Sequence, residues 1–325
     1  MATPHTSCGH FVHRLPHEIA VVDTGFVRDG LAASYIIRSN GHAAFVDTGT
    51  NHSVPRLLAA LEALDLSREQ VDYVILTHVH LDHAGGAGLL LRQLPNARLV
   101  VHPRGARHMI DPSKLMAGVK AVYGEEIAAR NYGELVPVPE DRVVVTRDNM
   151  VLDLAGRPLL FADTPGHALH HHCIWDATSR GWFTGDTFGI AYPEFATEEG
   201  AHIIPATAPV QFDPEQLRAS IEHLLEFDPL VVYLTHFGAV GQPHRIAKQL
   251  LSQVDAMVSA ARAVANHPQR HDALKRAFRD IYIGELRARG CSLSDRELED
   301  ILAMDVELNA QGVGVWLDKQ TVGCR

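Results

Sequence analysis

The stretch LTHVHLDHAGG, residues 76–86, carries His78, His80, Asp82 and His83 within six positions. All four side chains can ligate a metal ion. In an extended chain alternate residues point to the same side, so His78 and His80 can share one ion. Asp82 and His83 follow where the chain turns toward Gly85 and Gly86, and can reach a second. The two glycines are expected to let the backbone turn tightly there. Three further metal-capable residues stand where apolar runs end: His167 after LLFADTPG, Asp186 after WFTG and His236 after VVYLT. A lone histidine after a strand is usually a solvated or capping group; four such strand ends in one chain read as a site. Together they give seven candidate ligands, five histidines and two aspartates. That exceeds what a tetrahedral zinc takes and suits two divalent ions sharing a bridging carboxylate and a bridging hydroxide. A nitrogen and oxygen set without thiolate fits zinc, iron or manganese, and the residues themselves do not choose among them; zinc is the expected metal. The chemistry of such a pair is hydrolysis. The held hydroxide is a nucleophile near neutral pH, and the developing oxyanion is stabilised by a cation. Asp82, besides ligating, is placed to orient the hydroxide or to carry its proton.

The elements that must position these residues alternate between strand and helix, the α/β signature. HEIAVVDTGF, AASYIIRS and HAAFVDTG read as short strands, and SVPRLLAALEALDL as a helix with Ser53 as N-cap. VDYVILT is a buried strand, GAGLLLRQL a helix and ARLVVH another strand. DPSKLMAGVKAVYGEEIAARNYG reads as a helix capped by Asp111, with Leu115, Val119, Val122, Tyr123 and Ile127 on one stripe. It belongs to a helical insertion at about 104–135. RVVVT, RPLLFADT, HCIWDAT and GWFTGD follow as strands, the last two as a hairpin. Then come a helix capped by Asp213 and the buried strand LVVYLTH. From residue 243 to 325 the pattern is helical, with a capping box at Ser294 and Glu297 and a strand only at VGVWLD. The expected organisation is a catalytic domain over 1–242 and a helical C-terminal extension over 243–325. Apolar stripes in that extension, such as Ile246, Leu250 and Val254, or Leu274, Phe278 and Ile281, must be buried on the domain or in a homodimer interface.

Composition narrows the function classes. Apolar residues make up 46% and charged residues 21%, an ordinary globular balance. A net charge of −10 argues against a nucleic-acid partner, which needs concentrated Lys and Arg. No apolar run approaches the roughly 20 residues of a membrane span. The start MATPHTSCGHFVHRLPHEIA lacks the basic and apolar parts of a secretion signal, so a cytoplasmic protein acting on a small molecule is expected. The four cysteines, Cys8, Cys173, Cys291 and Cys324, have no paired spacing and suggest neither a disulfide framework nor a thiolate metal site.

THVHLDHAGG resembles the T-H-x-H-x-D-H motif of the metallo-β-lactamase superfamily. DTPGH, TGDTFG and LTHFG resemble its later motifs in order, and FVDTG at 45–49 its early aspartate turn. The resemblance spans about residues 18–242. It implies a four-layer αββα sandwich with the metals at one edge between the sheets. It also implies that His78, His80 and His167 hold one metal, Asp82, His83 and His236 the other, and that Asp186 bridges. Asp47, ending FVDTG, is either a turn residue or a group that orients a metal-bound histidine. His170, His171 and His172 read as a polar strand start, with alternate positions able to face the pocket.

The aspartates at these positions set the chain apart from the true β-lactamases of the superfamily and align it with its glyoxalase II, lactonase and phosphodiesterase branches. The resemblance to glyoxalase II implies a thioester substrate, although RIAKQLL and DALKRAFRD do not reproduce that family's basic signature. Superfamily lactonases carry a tyrosine where this chain has Gly189, with Phe188 and Tyr192 nearby. The substrate-binding residues stay open; the insertion and the C-terminal helices are candidates to wall the pocket. Three classes remain: a two-metal hydrolase of esters, thioesters or lactones, an iron redox enzyme like the persulfide dioxygenases, and a non-catalytic sensor. The intact ligand set favours the first.

Overall fold

The computed structural model describes residues 11–207 and 210–322. The chain divides into two compact units, one taking the chain to Ala162 together with Ile174–Ser179, the other Asp163–Cys173 together with the chain from Arg180. The fold class is the expected one: two mixed sheets flanked by helices, with a helical C-terminal extension.

In the first unit seven strands form one sheet in chain order: β1 Val12–Leu15, β2 Ile19–Asp23, β3 Ala33–Ser39, β4 His42–Val46, β5 Val71–Ile75, β6 Arg98–Val101 and β7 Val143–Val145. The first four are antiparallel and β4 to β7 run parallel. Parallel strands need crossovers. α1 (Val54–Ala63), the single turn α2 (Leu81–Ala84) and α3 (Ala87–Gln93) lie in these connections, and α4 (Pro103–Ile110), α5 (Ser113–Tyr123) and α6 (Glu125–Tyr132) make up the insertion. Phe45, Leu57, Val74, Leu90 and Leu99, all at 0% exposure, come from strands and helices alike and form one core cluster.

The second sheet has the order β13-β12-β11-β10-β9-β8. Its strands are β8 Val151–Leu154, β9 Arg157–Asp163, β10 His172–Asp176, β11 Gly181–Gly185, β12 Val231–Leu234 and β13 Gly238–Gly241. The second unit adds α7 (Pro214–Leu225), whose cap Asp213 accepts the Glu215 and Gln216 N–H groups, and the long helices α8 (Pro243–Ala263), α9 (Arg270–Ala288) and α10 (Asp295–Val322). Its core is aromatic: Trp182, Phe183, Phe188, Phe195, Phe278 and Tyr282 are fully buried.

Several local expectations are corrected. The insertion is not one continuous helix: it breaks at Gly124, whose φ of 83° an L side chain rarely adopts, and Ile127 beyond the break is exposed. The side chains of Val122 and Tyr123 lie outside the described ones. Ser53 makes no cap bond for α1; its hydroxyl instead accepts the Thr50 N–H, closing a 3₁₀ turn that precedes the helix. VGVWLD is not a strand but part of α10, because Val313, Trp316 and Leu317 fall at helical spacing and are buried together with Ala310. On α9 the buried stripe runs Leu274, Phe278 and Tyr282, with Ile281 at its edge. Cys173 and Cys291 are buried and not paired in a disulfide, while Cys8 and Cys324 lie outside the described residues. No described helix is long and apolar enough to cross a membrane.

Candidate metal centre

In the first unit the parallel register pairs Val46 of β4 with Ile75 of β5, so the residues just beyond both strands come side by side. Those residues are Asp47 and Thr77. Asp47 is fully buried in the left-handed region at φ 57°, a conformation aspartate tolerates better than most residues. Its carboxylate accepts the Thr77 N–H at 2.8 Å and the Thr77 hydroxyl at 2.9 Å, and meets Nδ1 of His83 at 2.9 Å. Nδ1 of His78 lies 3.2 Å from the same hydroxyl. The hydroxyl donates to Asp47 and therefore accepts from His78. Both imidazoles thus give their Nδ1–H to protein oxygen and keep Nε2 as the ligating nitrogen.

His78, His80, Asp82 and His83 lie close together. The His78 ring lies 4.5 Å from that of His80 and 4.1 Å from that of His83, centroid to centroid. Asp82 and His83 occupy the turn α2, with Asp82 Oδ2 at 3.6 Å from His83 Nε2. Gly85 and Gly86 serve a different purpose from the expected one. Their φ values, −59° and −83°, suit any residue, but a Cβ on Gly86 would stand 2.7 Å from the Thr50 carbonyl. What is needed is room, because residues 83–86 lie against the loop after β4: Thr48 N–H donates to the His83 carbonyl and Gly86 N–H to that of Gly49.

In the second unit β11 and β12 are parallel with Gly185 opposite Leu234. Asp186 and His236 therefore leave the sheet at the same end. His167 is presented by a loop in which Gly166 has φ 132° and a Cβ would meet the Leu217 backbone at 2.3 Å, so only glycine fits. The two imidazoles converge on the Asp186 carboxylate. Asp186 Oδ2 lies 3.3 Å from His167 Nε2 and Asp186 Oδ1 lies 3.6 Å from His236 Nε2. His167, Asp186 and His236 are all buried, at 1%, 6% and 7% exposure. His167 again turns its Nδ1 to protein, 2.9 Å from the Ala206 carbonyl.

Two supporting residues come forward. Asp47, open in the sequence between turn and orienting group, is both. His171 is no polar strand start: it is fully buried, its Nε2 accepts the Asp186 N–H at 3.3 Å, and its Nδ1 lies 2.9 Å from the Thr164 hydroxyl. The run of three histidines was the signal, although it does not set His171 apart: His172, the first residue of β10, is buried as well. Phe188 and Tyr192, the aromatic residues near Gly189, are buried in the core, and the Tyr192 hydroxyl donates to Asp305 of α10 at 3.2 Å.

The donor chemistry fits metal ions. His78, His83 and His167 have their Nδ1 atoms committed to protein oxygens, which makes Nε2 the nitrogen that could ligate, and two carboxylates complete the set. The chain therefore carries a His/Asp set able to hold metal ions.

Comparison with known proteins agrees. The family model of the metallo-beta-lactamase superfamily matches residues 27–236. A metallo-beta-lactamase fold-containing protein of Sulfurisphaera tokodaii is 28% identical over 235 residues, covering 70% of this chain and 82% of that one. A hydroxyacylglutathione hydrolase of Aeromonas salmonicida is 45% identical over 65 residues, which is 20% of this chain and 23% of the relative. Among solved structures, an archaeal metallo-beta-lactamase superfamily protein from Sulfolobus tokodaii superposes with a TM-score of 0.58 at 26% identity, over 83% of this chain and 93% of that one.

Proposed function

Because the chain belongs to the metallo-beta-lactamase superfamily, we propose that it is a metal-dependent hydrolase of a small ester, thioester or lactone. In this reading His78, His80 and His167 hold one divalent ion, Asp82, His83 and His236 a second, and Asp186 serves both. Zinc is the first choice of metal, with iron or manganese as alternatives. The observation that carries the reading is the split of the Asp186 carboxylate, one oxygen toward His167 and the other toward His236. A carboxylate shared between two ions has this disposition.

Bound divalent ions supply a water-derived nucleophile near neutral pH and a Lewis acid for the substrate carbonyl oxygen. The protein does the rest. Asp82, with its side chain 24% exposed against 7% for Asp186, is the carboxylate able to pass a proton between the attacking water and the leaving group or solvent. Asp47 and His171 touch no reacting atom; they hold His83 and the Asp186 backbone in place. A thioester is supported by the short match to hydroxyacylglutathione hydrolase, and a lactone or plain ester is served by the same chemistry.

The test is a panel of p-nitrophenyl esters, acyl thioesters and lactones, each with and without a chelator. Hydrolysis of at least one class, lost with chelator and restored by zinc, iron or manganese, is expected. Oxygen consumption on a persulfide without hydrolysis of any member would overturn the reading in favour of an iron redox enzyme.

A further inference from the structure

His167 takes its orientation from a main-chain carbonyl, that of Ala206. A carbonyl can orient a ligand only as firmly as its own segment is held. On the reading of His167 as a metal ligand, we propose that Asn309 of α10 is the positioning residue for it, acting through the segment 203–207.

The Asn309 amide grips that segment on both sides of Ala206. Its Nδ2 donates to the Pro205 carbonyl at 2.8 Å, and its Oδ1 accepts the Thr207 N–H at 2.7 Å and the Thr207 hydroxyl at 2.9 Å. The remaining Nδ2 proton goes to the Tyr282 hydroxyl of α9 at 2.8 Å. An asparagine amide has two donors and two acceptor positions, and here all four are used by a side chain only 2% exposed. Because the Thr207 N–H can only donate, the amide has one possible orientation. The segment is also tied elsewhere. Ile204 exchanges two main-chain bonds with Ile190, at 2.8 and 2.9 Å, and Gln253 of α8 donates to the Ile203 carbonyl at 2.7 Å. The same face of α10 reaches the chain beyond Asp186, since Asp305, one turn before Asn309, accepts from Tyr192. Three C-terminal helices therefore fix the carbonyl that selects the His167 tautomer. Supporting groups of this kind typically change metal affinity by 10- to 100-fold when removed.

The experiment measures metal affinity of the full-length protein by competition with a chromophoric chelator, together with the visible spectrum of the cobalt-substituted form. Asn309→Ala is compared with Leu302→Ala, which truncates a fully buried side chain in the same helix. Asn309→Ala is expected to weaken one ion by about 10-fold and to alter the cobalt spectrum. Leu302→Ala is expected to lower Tm while holding both ions as wild type does. Should Asn309→Ala not fold, the isosteric Thr207→Val removes one bond of the grip, and a smaller loss in the same direction is expected. Unchanged affinity in the Asn309 or Thr207 variant, with wild type loaded, overturns the assignment alone. So does equal metal loss in Leu302→Ala. A wild type that takes up no metal sinks the hydrolase reading and this assignment with it.

Discussion

Asp186 turns its two carboxylate oxygens to different imidazoles, and its N–H is taken by the buried His171. That arrangement makes it the residue on which a two-ion site depends most. In the proposed two-ion site, replacing it with alanine would leave the two dications facing each other with less negative charge between them. Asp186→Ala is expected to lose one ion and to lower kcat by at least ~10²-fold, the scale of a lost electrostatic element of the transition state. Parallel metal analysis and steady-state kinetics check this, and activity within a few-fold of wild type would argue against the two-ion mechanism. The ligand candidates themselves were legible in the sequence, because each follows an apolar strand within a few residues. Their supports were legible only in part: Asp47 stood open between a turn residue and an orienting group, and the histidine run at 170–172 did not single out His171. Asp47 lies 36 positions from His83 and His171 lies 15 from Asp186, and no local spacing announces a hydrogen bond over such separations.

The elements were legible where periodicity was strong, as in α1, α8 and the strands β3 to β6. They were missed where they are short or where packing overrides pattern. β1, β8 and β13 have only four residues each, and the β-branched run near Val313 is helical because α10 buries it. Nor does the sequence reveal that the segment 202–207 is held by side chains from α8 and α10. His202 in that segment is almost fully buried beside Gln249, whose Nε2 lies 2.7 Å from its Nδ1. Burial, and then the charges of Arg289 and Arg245, push its pKa down to about 4 from 6.5. The unfolded chain therefore binds a proton at His202 at a pH where the folded chain does not. Its stability contribution is complete above about pH 6.5 and is lost as the pH falls toward 4, by about 3 kcal/mol at most. Denaturant unfolding of wild type and His202→Asn between pH 7 and 4, with chelator present, measures the difference. A flatter profile in the variant is expected; parallel profiles would show that His202 is not buried as a neutral ring.

At the scale of the whole chain, two compact units each bring their own candidate ligands to strand ends, His78, His80, Asp82 and His83 in one and His167, Asp186 and His236 in the other. Each unit also supplies its own orienting oxygens, Asp47 and Thr77 in the first and the Ala206 carbonyl in the second. The C-terminal helices belong to this machinery through Asn309, in the proposal above, as well as to the core through Phe278 and Tyr282. The superfamily was legible from short motifs because they hold the candidate ligands; the substrate was not, since the pocket walls depend on side chains with no motif of their own. The most direct measurement is the metal content of the full-length protein by mass spectrometry after reconstitution with zinc, iron or manganese in excess and removal of unbound metal. About two ions per chain are expected from the His/Asp donor set. A single tightly held ion, or none, under metal-replete conditions would contradict the two-metal hydrolase.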